Sequence, residues 1–337
     1  MQDKTDIVIV GYGNVGRGVY ESIKKNSDMN LVGIISRSPE RVKKELGVGV
    51  QVYDQNFIFS FKENQPIADV AILCGGSKND LPVQGPEFAS RYNTVDSFDT
   101  HADISRYFKE MSQAASFQGH TAIISNGWDP GMFSIMRTLF GAFFPGAKPQ
   151  EFYGLSEKGG LSMGHSDAVR QVKGVKDARQ YTHAIPEAME RVRNGENPKL
   201  AKGDVHWREC YVVLENDTFK ERENIANKIK NMPNYFKPYK TIVKFVSQEI
   251  LNQDFQGMPH DGLVLAVGET GKGNKAMMEY KNTMENNSEF TGNILVACAR
   301  ACHRLKKEHK TGAYTMLDIP LSYFSQHSHE ELLKKFM

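Results

Sequence analysis

Cysteine is scarce in this chain: four among 337 residues, at positions 74, 210, 298 and 302. No two of them form a CxxC pair, so neither a disulfide framework nor a zinc ribbon is expected. Cys298 and Cys302 stand four apart in an alanine-rich stretch, the spacing of small apolar residues on one buried helix face. The neighbouring His303 does not complete a zinc tetrad, and no metal site is expected. Free thiols point to a reducing compartment. Long apolar runs are missing too. No stretch of 18 apolar residues occurs, and the N-terminus has no basic segment followed by an apolar run. A soluble, cytoplasmic protein without membrane association is therefore expected. Charge of one sign is also absent: 42 Lys and Arg stand against 40 Asp and Glu. That balance excludes the basic stripe of a nucleic-acid binder. The one Lys/Arg-rich run, "RLKKEHK" at Arg304 to Lys310, reads as the solvated face of a helix.

What is present is a chain long enough for two domains, with no internal repeat or low-complexity linker. Near its start stands "IVIVGYGNVGRGVYESI", Ile7 to Ile23. Its first residues are β-branched without polar alternation, which predicts a short buried strand. Gly11, Gly13 and Gly16 follow in GxGxxG spacing, with Asn14 and Val15 between them, and then a helix pattern begins. Gly11 allows the tight turn, Gly13 lets backbone approach a pyrophosphate, and Gly16 lets the helix pack on the strand. The helix N-terminus attracts the anion. A second strand, Leu31 to Ile35, completes a βαβ unit that binds a dinucleotide. It runs into Ser36-Arg37-Ser38, with no carboxylate before Glu40. An arginine flanked by two hydroxyls suits a 2′-phosphate, which a carboxylate would repel, so NADP is the expected cofactor.

The alternation continues. A third strand, Val70 to Leu73, ends in Cys74-Gly75-Gly76-Ser77, small residues that leave room for ribose and nicotinamide. Further strand and helix patterns lead to "HTAIISNGWDPG". Strands alternating with helices predict a Rossmann-type, doubly wound parallel sheet. Asp96, Asp99, His101, Trp128 and Asp129 fall at its ligand-binding edge. After Gly131 the texture changes to the apolar helix "MFSIMRTLFGAFFP", a glycine-rich loop, and three strand-like segments, "HWRECYVVLE", "YKTIVKFVS" and "GLVLAVGET". These predict a second, α+β domain on an antiparallel sheet, of the kind that carries substrate and subunit contacts. The expected division is 1–127 for the dinucleotide and 128–289 for substrate binding and dimerisation. The C-terminal helix, about 290–337, is expected to return to the first domain.

The segments "GYGNVGRGV", "SRSPE", "DTHADI", "SNGWDPGMFSI", "GHSDAVR", "GMPHDG" and "GETG" closely resemble the meso-diaminopimelate dehydrogenase family, in order and over essentially the whole chain. The resemblance implies NADP-dependent oxidative deamination of the D-centre of meso-2,6-diaminopimelate, reversible, by a homodimer. It places Asp99 and Asp129 around the reacting amine, and Trp128 as a wall of the same pocket. Gly164 becomes a backbone contact to the carboxylate at the reacting end. Thr182, Arg208, His260 and Asn287 become the grip on the distal L-amino acid end. Two positions depart from the pattern: Met163 stands where some members have glutamine, and Tyr153 where some have tryptophan. Both bear on substrate selectivity.

The residues can also be read without the resemblance. A substrate that is a zwitterion at both ends needs cationic or N–H partners for its carboxylates, and Arg208 is the first candidate. Its alternative is a surface arginine on a strand. Asp99 and Asp129 can act on an amine or, as loop aspartates, cap nearby backbone. For His165 a structural hydrogen bond is favoured over catalysis, and for His260 a substrate contact. Two other functions stay open on sequence grounds: a same-fold dehydrogenase for another amino acid, keto acid or sugar, and a non-enzymatic NADP-binding regulator.

Overall fold

The computed structural model describes residues 4–47, 49–55, 67–233 and 235–337. The chain forms two compact units, one of Met1–Ile135 with Ser288–Met337 and one of Met136–Asn287. Among the described residues, no helix is long and apolar enough to cross a membrane.

The first unit is a seven-stranded parallel sheet. Its strands are β1 (Thr5–Val10), β2 (Met29–Ser36), β3 (Val52–Asp54), β4 (Val70–Leu73), β5 (Asn93–Asp96), β6 (Thr121–Ile123) and β14 (Gly312–Tyr314). Their order is β14-β6-β5-β4-β1-β2-β3, the Rossmann order with one strand added at the β6 edge. β1 from Ile7 onward and all of β4 read as unbroken apolar runs because helices cover both sheet faces; Ile7, Val8, Ile9 and all four residues of β4 have no exposed surface. The order reverses between β1 and β4, so the ends of these strands form the switch point where such sheets bind ligands. The helix Asn287–Lys307 packs on the helix Asn14–Lys25 through paired glycines. A Cβ on Gly292 would lie 2.4 Å from the Gly18 carbonyl carbon, and one on Gly18 would lie 2.5 Å from Ser288 O. Cys298 and Cys302 are buried on that C-terminal helix with reduced thiols.

The second unit differs from the single antiparallel sheet expected there. It has two sheets. β7 (Gln150–Tyr153), β12 (His260–Gly271) and β13 (Asn274–Met284) form an antiparallel sheet in the order β13-β12-β7. β8 (Gly160–Leu161), β9 (Val175–Ala184), β10 (His206–Leu214) and β11 (Thr241–Phe245) form the other, in the order β11-β10-β9-β8. β11 pairs parallel to β10, because the helix Phe219–Lys230 intervenes as a crossover and returns the chain in the same direction. The Asp261 carboxylate pins the loop that leads from β7 to β8, and so from one sheet to the other, by accepting the Leu155 and Ser156 N–H groups at 2.7 and 3.0 Å.

Candidate active site

The dinucleotide end is built by close packing. Gly11 follows β1 at φ +92°, a conformation only glycine adopts without strain. A Cβ on Gly16 would lie 2.2 Å from Gly11 O, whereas one on Gly13 would meet nothing within 4 Å. The turn is closed where helix meets strand and open where a pyrophosphate would approach, so the residues present fit a dinucleotide. Asn14 is exposed and Val15 half-buried in the first helical turn. The neighbouring strand end is tied in by the Cys74 N–H, which donates to Val10 O at 2.8 Å.

After β2, Ser36 is buried and its hydroxyl accepts the Ser38 N–H at 3.1 Å. The Arg37 side chain is 70 % exposed and its Nη1 meets Asp80 Oδ1 at 3.1 Å. Asp80 is itself fixed by the Gly76 N–H at 2.8 Å, and a Cβ on Gly75 would collide with its side chain at 2.8 Å. The loops after β2 and β4 thus meet through an Arg37–Asp80 pair that the sequence did not suggest.

Ser77 links the same loop to the next. Its hydroxyl accepts the Asp99 and Thr100 N–H groups at 2.8 and 3.1 Å. Asp99 is exposed, and its carboxylate has no hydrogen-bond or ion-pair partner among the described residues, so it is not a capping aspartate. Asp96 fills that structural role. It has no exposed surface and accepts from Phe98 N–H, Ser125 N–H and Tyr107 O–H at 2.9–3.0 Å. Burial pushes its carboxyl up to about 6 despite those bonds. Its placement on the ligand-binding edge is therefore corrected: it braces the edge from inside. Trp128 is buried against Phe133, ring centroids 4.7 Å apart, and begins the bent segment Trp128–Met132 that carries Asp129. Both residues lie in the first unit.

In the second unit the site grows from strand register. Side chains two apart on a strand share a face. Arg208 sits opposite Thr182, Cys210 opposite Gln180, and His206 opposite Ala184. Arg208 is only 6 % exposed. Its Nη1 donates to Thr182 Oγ1, and its guanidinium carbon lies 4.2 Å from the centre of the Tyr239 ring. Its Nε is buried without a partner, and no carboxylate among the described residues pairs with it. Burial lowers its pKa. The other buried arginine among the described residues, Arg300, shows what a structural one looks like. It bonds Asp28 Oδ1 and Asn26 Oδ1 at 2.9 and 2.8 Å and Phe324 O at 2.7 Å.

Three imidazoles surround the Arg208 charge. His165 and His206 are held down to about 3 and His260 to about 4, in each case chiefly by burial, with the Arg208 cation adding to it. They are neutral near pH 7, so among these four side chains only Arg208 is charged. His206 Nε2 accepts the Tyr153 N–H at 2.7 Å and stacks on the Tyr153 ring. Tyr153 in turn meets His260 edge-on at 6.4 Å. The His260 ring fits only because residue 160 is glycine; a Cβ there would lie 2.4 Å from Nδ1. His165 bonds Ser162 Oγ at 2.7 Å at the start of the helix Met163–Arg170, the structural role the sequence favoured. Gly164 is exposed in that first turn, beside half-buried Met163. Asn287 donates its N–H to Met258 O at 3.0 Å, and its side-chain Oδ1 is buried without a partner.

The structure thus brings Tyr153, Thr182, Arg208 and His260 into one connected cluster of the second unit. Asp99, Trp128 and Asp129 belong to the first. His206 and Tyr239 were missed. The strand period offered His206, since it lies two residues before Arg208 on one face. Tyr239 carried no such signal, because it lies in the loop before β11. Among the described residues, no group of three potential metal ligands occurs.

A glycine-elbow Rossmann unit and a second unit with a buried, carboxylate-free arginine define an oxidoreductase of the two-domain dehydrogenase class. The sequence model of the diaminopimelic acid dehydrogenase C-terminal domain matches residues 127–286. The meso-diaminopimelate D-dehydrogenase of Acetivibrio thermocellus is 46 % identical, covering 99 % of this chain and 98 % of that one. The chain belongs to the meso-diaminopimelate dehydrogenase family. Among solved structures, the Corynebacterium glutamicum diaminopimelate dehydrogenase in complex with diaminopimelate superposes with a TM-score of 0.91. It is 37 % identical and covers 100 % of both chains. An engineered D-amino acid dehydrogenase bound to NADP+ gives 0.87 at 36 % identity, covering 99 % of this chain and 100 % of the other. Family membership disfavours both the non-enzymatic regulator and the dehydrogenase for another substrate.

Proposed function

We propose that this chain catalyses the reversible, NADP-dependent oxidative deamination of the D-centre of meso-2,6-diaminopimelate, as a cytoplasmic homodimer serving lysine biosynthesis. The products are L-2-amino-6-oxopimelate, ammonia and reduced cofactor. The observation that carries this reading is Arg208, buried to 6 % exposure with no carboxylate partner among the described residues. A buried charge normally arrives paired, and a ligand carboxylate is the partner this one lacks. An arginine fork matches a carboxylate bidentately. Thr182, His260 and Asn287 supply polar atoms for the rest of the L-amino acid end, and neutral imidazoles do not repel its ammonium group.

Gly11, Gly13, Asn14, Val15 and Gly16 would hold the pyrophosphate, Ser36, Arg37 and Ser38 the 2′-phosphate, and Cys74 to Ser77 the nicotinamide side. When bound, the nicotinamide supplies the acceptor for hydride. The chain's residues do the rest. The amine at the D-centre must lose a proton before its nitrogen lone pair can assist hydride departure. The carboxylates of Asp99 and Asp129 are the groups that can take it, directly or through water. Loss of hydride from the α-carbon leaves a substrate iminium ion. Water adds to its carbon and the C–N bond breaks, releasing ammonia and leaving the ketone. Trp128 shields the reacting end, and Gly164 offers backbone N–H to its carboxylate. Holding the L-end at Arg208 selects which stereocentre reacts. The homodimer is supported by β13, an 11-residue strand that pairs only with β12 among the described residues and presents an open edge.

The test is an initial-rate panel of meso-, LL- and DD-diaminopimelate, each with NADP+ and NAD+. Reduction of NADP+ with the meso isomer alone supports the assignment. Equal rates with the LL isomer, or a preference for NAD+, would contradict it.

A further inference from the structure

The direction of one hydroxyl proton in the second unit follows from counting hydrogen bonds. Thr182 Oγ1 is approached by two N–H donors: Arg208 Nη1 and, at 3.4 Å, Gln180 Nε2. A hydroxyl has two lone pairs and one proton, and a guanidinium can only donate. With both lone pairs engaged, the Thr182 proton has no acceptor in this triad and is left to be donated elsewhere.

Gln180 is built to hold that arrangement. It has no exposed surface. Its backbone is fixed on both sides, the N–H donating to Ser166 Oγ at 2.9 Å and the C=O accepting Ser162 N–H at 3.0 Å. It shares a face of β9 with Thr182 and lies opposite Cys210. Its Oε1 is buried without a partner among the described residues, where the Nε2 contact to Thr182 is the one hydrogen bond its side chain makes. A buried amide that leaves its oxygen unsatisfied is costly for folding alone, and a role in binding accounts for its presence.

We propose that Gln180 is a positioning residue for the substrate carboxylate. Its amide N–H occupies the inner lone pair of Thr182, so the hydroxyl acts as a donor beside the Arg208 fork. A carboxylate at Arg208 then receives O–H from Thr182 as well as N–H from the guanidinium. The inference rests on reading Arg208 as the carboxylate clamp. With the amide turned the other way, Gln180 Oε1 would take the Thr182 proton inward and Arg208 would bind the carboxylate without it.

The experiment is a double-mutant cycle of Gln180→Met and Thr182→Val, read as kcat and KM for meso-diaminopimelate with saturating NADP+. Gln180→Met should raise KM about five- to tenfold and leave kcat within about twofold, because it removes an orienting bond and no reacting group. In the Thr182→Val background the same substitution should add less than about twofold, because Gln180 acts through the hydroxyl. Gln180→Leu serves as the second variant if the methionine form does not fold. An unchanged or lowered KM in Gln180→Met would overturn the proposal, as would a full effect persisting without the Thr182 hydroxyl. A fall in kcat with unchanged KM would do the same. If the unsubstituted chain does not oxidise meso-diaminopimelate, the clamp reading itself fails; oxidation with an unaltered variant KM removes only the role of Gln180.

Discussion

Replacing Arg208 with methionine should cost activity heavily and stability little. Truncating one partner of a buried, hydrogen-bonded charge pair costs about 2–5 kcal/mol. At about 1.4 kcal/mol per tenfold, kcat/KM for meso-diaminopimelate should fall by about thirty- to several-thousandfold. The Michaelis constant for NADP+ should move by less than about twofold, because no cofactor position involves Arg208. Stability behaves otherwise. No carboxylate among the described residues pairs with the guanidinium, whose Nε is buried without a partner, so removing it relieves a desolvation penalty of several kcal/mol. Against that stand the face contact with Tyr239, worth up to about 2 kcal/mol, and the bond to Thr182, worth about 1.5–3 kcal/mol. These nearly cancel, and Arg208→Met should unfold in urea within about 2 kcal/mol of the unsubstituted chain. Arg300→Met, which strands the half-buried Asp28 carboxylate, should lose about 3–5 kcal/mol. If Arg208→Met lost as much as Arg300→Met while keeping its kcat/KM, Arg208 would be a structural arginine and the clamp would be wrong.

Arg37→Ala should weaken NADP+ binding by about 1.5–3 kcal/mol, roughly ten- to a hundredfold in the dissociation constant, with little effect on NAD+. Titration of both cofactors checks this, and equal losses would refute the 2′-phosphate assignment. Asp129→Asn should lower kcat more than it raises KM, with the largest deficit at low pH where deprotonating the amine is hardest; a normal pH–rate profile would clear Asp129 of that role. Acid sensitivity follows from His165, His206 and His260, whose folded values of about 3–4 lie below the unfolded value of about 6.5. Below about pH 6.5 the unfolded chain binds more protons, so their contribution to stability is lost as pH falls towards 4. Asp96, raised to about 6, acts in the opposite sense as pH rises from about 4 to 6, but one carboxyl is outnumbered by three imidazoles. Urea midpoints should therefore drop between about pH 7 and 5, and a flat or rising profile would contradict these burials.

The first unit was legible because its signals are local. A β-branched run, a glycine elbow and a helix period lie within 20 residues of one another, and the parallel order follows from their repetition. The added seventh strand was less so, since Gly312–Tyr314 is three residues long and pairs with a strand 191 positions earlier. The second unit was legible as strands but not as two sheets. Pairing direction there depends on the helix Phe219–Lys230, which the strand pattern alone does not reveal. Arg208 was legible as a cation on the strand "HWRECYVVLE", but its isolation from carboxylates, with Glu209 next to it in sequence, is a fact of tertiary packing. Likewise Asp96 and Asp99 look alike in "VDSFDT", yet one is sealed beneath three donors and the other is exposed. Tyr239, Gln180 and the Arg37–Asp80 pair depend on contacts between distant loops and neighbouring strands.

The most direct measurement follows one hydrogen atom. meso-Diaminopimelate carrying deuterium on the α-carbon of its D-centre is incubated with the enzyme and NADP+, and the reduced cofactor is isolated. The account predicts deuterium on the nicotinamide ring in a one-to-one ratio with oxopimelate formed, and none when the label sits on the L-centre. Label arriving from the L-centre, or product formed without label transfer, would contradict it.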